Sequence, residues 1–205
     1  MLSKYIAKEL KNPSAIVGEY VLAPLWNKRN SRLHDCVIEK MTVESSDKIL
    51  EIGFGGGRSL EIVSKLVTDG IVAGVDISKS MTRYCQKKFG GDWDIDVKCA
   101  SASELPFDSN CFNKIYSVNS IFYWNDVEKA CSEIFRVMSA GGVLFLCYTA
   151  KESLQKKKFV KNGLKLFEPC DVKELLLIAG FENINTTRHS DNKRKYYCTT
   201  GSKPA

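Results

Sequence analysis

Ile49-Leu50-Glu51-Ile52-Gly53-Phe54-Gly55-Gly56-Gly57-Arg58 decides how the chain is read. An apolar run carrying one acid breaks into glycines. It then enters Ser59-Leu60-Glu61-Ile62-Val63-Ser64-Lys65-Leu66-Val67, where apolar residues recur at helical spacing. The pattern predicts a buried strand, a tight turn and a helix start. Glycine allows positive φ and close approach to the backbone, and the unpaired N–H groups of a helix start favour electron-rich ligands. The turn therefore reads as a nucleotide or nucleoside cradle, against the plainer reading of a glycine-rich turn without a ligand. A dinucleotide fingerprint of the G-x-G-x-x-G type needs a third glycine at position 58, where Arg58 stands. The spacing is instead E-x-G-x-G-x-G.

Beyond the turn the chain alternates. Ile71 to Asp76 reads as a second buried strand, and Ser80 to Phe89 as a helix entered through Ser78 as N-cap. Asp94 to Cys99 and Lys114 to Val118 read as strands three and four. Val127, Ala130, Cys131, Ile134, Val137 and Met138 form a helical stripe, which Gly141-Gly142 is expected to end before a fifth strand, Val143 to Cys147. Lys151 to Leu166 reads as a lysine-rich helix. Asp171 to Ala179 reads as a capped helix stopped at Gly180, followed by strands from Phe181 to Arg188 and Lys195 to Thr200 around a turn at Ser190-Asp191-Asn192-Lys193. This βαβα order predicts an α/β protein with a mostly parallel sheet and helices on both faces.

Residues 1–46 precede the turn and 47–205 form the main domain. The first segment holds Tyr20, Trp26, a basic stretch at Lys28-Arg29-Asn30-Ser31-Arg32, and apolar residues at helical spacing from Leu33 to Met41. It reads either as a helical cover for one sheet face and edge, or as a lid over a substrate pocket.

At 205 residues, 44% hydrophobic and 26% charged, the chain is one ordinary globular domain. A net charge of +6 is too small to argue for nucleic acid, and the lysines of 151–161 lack the interleaved aromatics of a single-strand binder. Those lysines read first as a solvated helix face and second as attraction for an anionic partner or a membrane surface. Eight cysteines make no C-x-x-C pair and suggest no metal framework. With no apolar run long enough to span a bilayer and no signal-peptide pattern at the start, the expectation is a cytoplasmic protein in a reducing compartment.

Three stretches taken together resemble the class I S-adenosylmethionine (AdoMet) methyltransferases, and in particular their small ubiquinone- and menaquinone-biosynthesis type. These are the glycine turn, Asp76 closing the second strand, and Ala100-Ser101-Ala102-Ser103-Glu104-Leu105-Pro106-Phe107, which is similar to the family's G-D-A-x-x-L-P-F loop. Ile134 to Gly142 is similar to the helix ending in L-x-P-G-G, with Ala140 in place of proline. Gly18, Asn27, Arg29 and Asn30 are similar to positions in small bacterial AdoMet methyltransferases. The resemblance implies a Rossmann-like seven-stranded sheet whose last strand inserts antiparallel. It also implies AdoMet as cofactor, a small-molecule acceptor and no metal.

It further implies a cofactor site of Glu51, Gly53, Gly55, Gly57, Asp76, Ile77, Ser101, Ala102 and Asn119. Asp76 would take ribose hydroxyls and Ile77 would pack on adenine. Ser101 stands where the family has Asp, so the backbone of Ala102 is the firmer adenine contact. Glu51 would face the positively charged methionine end, and Asn119 the cofactor's amino group. Around the acceptor the candidates are Asn119, Tyr123, Trp124, Tyr20 and His34, with core packing the rival reading for the aromatics. No general base stands out, and His34 is the better placed of the two histidines. Rival readings are a catalytically inactive AdoMet-binding partner module, a thiophilic acceptor suggested by the cysteines, and a nicotinamide enzyme, which Arg58 disfavours.

Overall fold

A computed structural model describes residues 9, 22–90, 94–155, 157, 160 and 164–205. Its strands are β1 (Lys48–Ile52), β2 (Ile71–Asp76), β3 (Ile95–Cys99), β4 (Phe112–Val118), β5 (Met138–Thr149), β6 (Glu182–Ser190) and β7 (Lys195–Ser202). They form one seven-stranded sheet in the order β3-β2-β1-β4-β5-β7-β6. The first five pair in parallel, and β7 inserts antiparallel between β5 and β6. The alternation predicted the mostly parallel part, and the seven strands with an antiparallel last one are the Rossmann-like sheet that the resemblance implies.

Helices α1 (Ala23–Arg29), α2 (Ser31–Met41), α3 (Arg58–Ser64), α4 (Lys79–Phe89), α5 (Val127–Val137), α6 (Lys151–Leu154) and α7 (Pro169–Ile178) flank it. Strand periodicity sorts the core. Ile49, Val72, Tyr116, Phe145 and Cys147 turn to the face that carries Leu33, Val37, Leu60 and Met81. Leu50, Ala73, Ile115, Leu144 and Leu146 turn to the opposite face, under Ala130, Ile134, Val172 and Leu176. Helices α1 and α2 share the first of these cores: Ala23, Leu33 and Val37 are fully buried. Apart from Glu9, residues 3–10, and residues 15–21, lie outside the described residues.

Ser78 caps α4 as its sequence suggests, its hydroxyl accepting from Met81 N. Two expectations are corrected. Gly141-Gly142 does not end the stripe helix: α5 ends at Val137 and β5 begins at Met138. The glycines lie inside β5, where the β4 register shifts between Phe112 and Lys114. Gly141 takes φ +72, and a Cβ on Gly142 would come within 2.7 Å of Met138 Cγ. They serve a strand irregularity and close packing, not a helix stop. Among its described residues the lysine-rich segment is α-helical over Lys151–Leu154, and Lys156, Lys158 and Lys161 lie outside the described residues. Helix α7 starts two residues early because Glu168 forms a capping box with Asp171 and Pro169 takes the first turn.

Candidate active site

A cleft of about 1250 Å³, its open mouth included, lies at the carboxyl ends of the parallel strands. Ligands gather there in open α/β sheets, where β1 has β2 on one side and β4 on the other. The floor is the turn after β1. Gly53 takes φ +78, and a Cβ there would sit 2.4 Å from Ser120 Cβ in the loop after β4. Gly56 has no unusual φ, but its Cβ would lie 2.5 Å from Asn27 Oδ1 and 2.6 Å from the Ala23 carbonyl. Glycine therefore lets α1 sit down on the turn, where Asn27 Nδ2 donates to the Gly56 carbonyl at 3.0 Å.

Asp76 lines the cleft at the end of β2. Its two oxygens accept from Gly55 N and Ser78 N, both at 2.9 Å. Burial pushes its pKa above the usual carboxylate value, and the two backbone bonds oppose that shift. Each oxygen keeps a lone pair for a ligand hydroxyl. Ile77, Ser101 and Ala102 continue this wall. Ser101 Oγ pairs with Ser103 Oγ at 2.9 Å within the loop.

Asn119 follows β4 with φ +56, a conformation that asparagine tolerates better than most residues. Its amide oxygen is already fully used, and one of its two amide hydrogens is engaged. Oδ1 accepts from Thr149 N at 2.8 Å and Thr149 Oγ1 at 3.0 Å, and Nδ2 donates to Asn30 Oδ1 at 2.9 Å. The side chain thus ties the α1–α2 junction to the end of β5. Tyr123 and Trp124 also line the cleft. Trp124 Nε1 donates to Ser120 Oγ at 3.1 Å, and burial pushes Tyr123 up to about 12. His34 lines the opposite wall, 6% exposed, with no partner for Nδ1. Burial lowers its pKa to about 3, with Arg58 and Arg194 adding to the effect, so the ring is neutral near pH 7. Tyr20 lies outside the described residues.

Two expected cofactor residues stand behind the cleft wall. Gly57 is the left-handed N-cap of α3, φ +68, packed against Cys85 and Phe89. Glu51 is fully buried, accepting from Ser59 Oγ at 2.6 Å and Tyr116 Oη at 2.8 Å. Strand alternation and the start of α3 direct its carboxyl inward, so it braces the turn from below. Burial raises it to about 7, with Asp76 contributing.

Arg194, one residue past the turn expected at Ser190 to Lys193, is a lining residue that no sequence motif singled out. Its side chain is 8% exposed. Nη1 donates to Asn30 Oδ1 at 3.2 Å, Nη2 donates to the Arg29 carbonyl, and Nε pairs with Asp191 at 3.6 Å. The signal was topological. An antiparallel β7 brings the β6–β7 turn to the edge where the parallel strands end. Asn27, Arg29, Asn30 and Thr149 complete this end of the cleft. Among the described residues no three His, Cys, Asp or Glu side chains gather to hold a metal, and no helix is long and apolar enough to cross a membrane.

Residues 50–146 match the family described as a methyltransferase domain. The uncharacterized methyltransferase YdaC of Bacillus subtilis is 25% identical over 191 residues, spanning 93% of this chain and 99% of that protein. The 24-methylenesterol C-methyltransferase 2 of Arabidopsis thaliana is 28% identical over 137 residues, 65% of this chain and 37% of that protein, so the chain spans little more than a third of it. Phosphoethanolamine N-methyltransferase 2 of Haemonchus contortus, solved in complex with S-adenosyl-L-methionine, superposes with a TM-score of 0.73 at 17% identity. The match covers 85% of this chain and 53% of that one, a likeness of fold.

Proposed function

We propose, on the premise that the chain carries a class I AdoMet-dependent methyltransferase domain, that it methylates a small-molecule acceptor held at the β4–β5 end of the cleft. The cofactor is S-adenosyl-L-methionine. One observation carries the site reading: the Asp76 carboxylate, the glycine turn that donates to it, Ala102 and Asn119 face one cleft although they are scattered along the sequence from Gly53 to Asn119. That turn offers backbone groups and room, and Asp76 offers two half-used oxygens, so the residues present fit the cofactor.

In this reading Asp76 would hold the ribose hydroxyls, Ile77 and the Ser101-Ala102 backbone would flank the adenine, and Gly53, Gly55 and Asn119 would border the amino-acid end. Glu51 and Gly57 shape the turn from behind and touch no ligand. Bound there, AdoMet supplies an electrophilic methyl on a sulfonium, which an acceptor lone pair takes as the carbon–sulfur bond breaks and its electrons stay on sulfur. The chain's share is orientation and exclusion of water. Tyr123 and Trp124 wall the acceptor side, and His34, held neutral, can donate or accept a hydrogen bond without carrying charge. The sterol relative supports a small-molecule acceptor, and eight free cysteines support a reducing, cytoplasmic setting.

Calorimetric titration with S-adenosylhomocysteine tests the cofactor site. Binding in the micromolar range is expected, weakened at least about tenfold in Asp76→Ala, the scale of losing charge-assisted hydrogen bonds. Unchanged affinity in that variant would falsify the placement.

A further inference from the structure

The cleft wall is electrically uneven. Asp76, the one acid among its described lining residues, lies at the β2 end. Both lining arginines stand elsewhere, at the β5–β7 end. In the sheet order β2-β1-β4-β5 these ends are three strand spacings apart, roughly 14 Å at about 4.8 Å per step. A cofactor whose sugar was held at Asp76 and whose amino-acid arm was bordered by Asn119 would leave the far end to a second ligand.

That far end is built to meet negative charge. Arg194 is buried to 8% exposure and fixed in place by Asn30, Arg29 and Asp191. With Thr149 Oγ1, which lies 3.5 Å from Nη1, those partners leave one Nη2 hydrogen of its five N–H donors free of described residues. Arg29 lies within electrostatic reach of both Arg194 and Tyr123. Its guanidinium forms no hydrogen bond or ion pair with a described residue. Asp191 offsets one of these two charges. His34 lines the same cleft within electrostatic reach of Arg194 and of Arg58 at the start of α3, nine-tenths buried, and its Nδ1 has no hydrogen-bond partner among the described residues. A buried polar atom left unpaired is costly, and a ligand group that reaches it recovers that cost.

We propose that the acceptor carries an oxyanion, a carboxylate or phosphate ester, that docks between Arg194 and Arg29 beside His34, with its nucleophilic atom turned back toward Asn119. The inference rests on the methyltransferase reading and names the substrate class of that site. Arginine suits the role because its planar donors match such groups.

Matched probes test it on the full chain loaded with S-adenosylhomocysteine: 4-hydroxybenzoate against 4-hydroxybenzamide, followed by ligand-observed NMR. The anion is expected to bind about tenfold tighter than the amide, and Arg29→Gln to remove that preference while leaving S-adenosylhomocysteine affinity within about twofold. Arg29 is exposed, so this variant folds even if Arg194→Gln does not. Equal binding of the two probes, or binding of neither, overturns the oxyanion subsite. So does a loss of S-adenosylhomocysteine affinity in Arg29→Gln with 5′-methylthioadenosine unaffected, because the arginines would then serve the cofactor's own carboxylate. Failure of the native chain to bind S-adenosylhomocysteine at all would instead remove the methyltransferase reading beneath it.

Discussion

Burial drives Glu51 and His34 in opposite directions, and each leaves a signature in how stability depends on pH. Glu51 rises from 4.5 to about 7 because its charge is desolvated. The folded state therefore binds its proton more tightly than the unfolded state does. The resulting stabilisation is complete below pH 4.5 and is lost as pH rises through 7, on the order of 3 kcal/mol across the window. His34 falls from 6.5 to about 3, again by burial first. Here the unfolded state binds the proton more tightly, so stability is present above pH 6.5 and is lost as pH falls toward 3. Between pH 4.5 and 6.5 the two slopes oppose, and the native curve alone separates neither. Urea melts of Glu51→Gln and His34→Phe across pH 4–8 do separate them. Relative to the native chain, Glu51→Gln should gain stability as pH rises and His34→Phe should gain as pH falls. A pH-independent difference for either variant means that its group does not titrate as its surroundings dictate.

At the scale of elements, the glycine turn was legible in the sequence as a strand–turn–helix unit, but the reason for its glycines was only half legible. Spacing suggested room for a ligand. The structure shows that Gly53 and Gly56 make room for protein: the loop after β4 and helix α1. A single sequence carries no sign of which distant segment will lie on a turn. Gly141-Gly142 misled for a related reason, since two glycines after a helical stripe read as a stop until the β4–β5 register is known. Gly56→Ala isolates the steric part, because no positive φ is involved. The added methyl meets Asn27, which can move, and the Ala23 carbonyl, which belongs to the backbone of α1. The variant should lose about 1–3 kcal/mol and shift Trp26 emission, as expected for overpacking. Asn27→Ala should not rescue it, because the carbonyl at 2.6 Å remains. Full rescue would place the conflict in the side chain alone.

For the whole molecule, alternation and the closing hairpin predicted the sheet, while the meeting of the two ends of the chain was hidden. Arg194, near the C-terminus, donates to Asn30 and to the Arg29 carbonyl, and Asn30 accepts from Asn119 in the middle. These contacts join residues 164 and 89 positions apart, beyond the reach of periodicity or local motif. They also make α1 and α2 part of the same folding unit as the sheet, since Ala23, Leu33 and Val37 share a core with Ile49, Phe145 and Cys198. Thermal unfolding followed by tryptophan emission, with Trp26 on α1 and Trp124 beside the cleft, should then coincide with unfolding followed by far-ultraviolet circular dichroism. Because the cleft is walled by both ends of the chain, a ligand bound in it stabilises the whole. S-adenosylhomocysteine at one hundred times its Kd adds about 2.7 kcal/mol. For a domain of this size that raises Tm by roughly 5–10 °C, with both probes moving together. Asp76→Ala should lose about half of the shift or more at the same ligand concentration while keeping the coincidence. An early emission transition that S-adenosylhomocysteine leaves untouched would mean that α1 and α2 are an independent cover rather than a wall of the site.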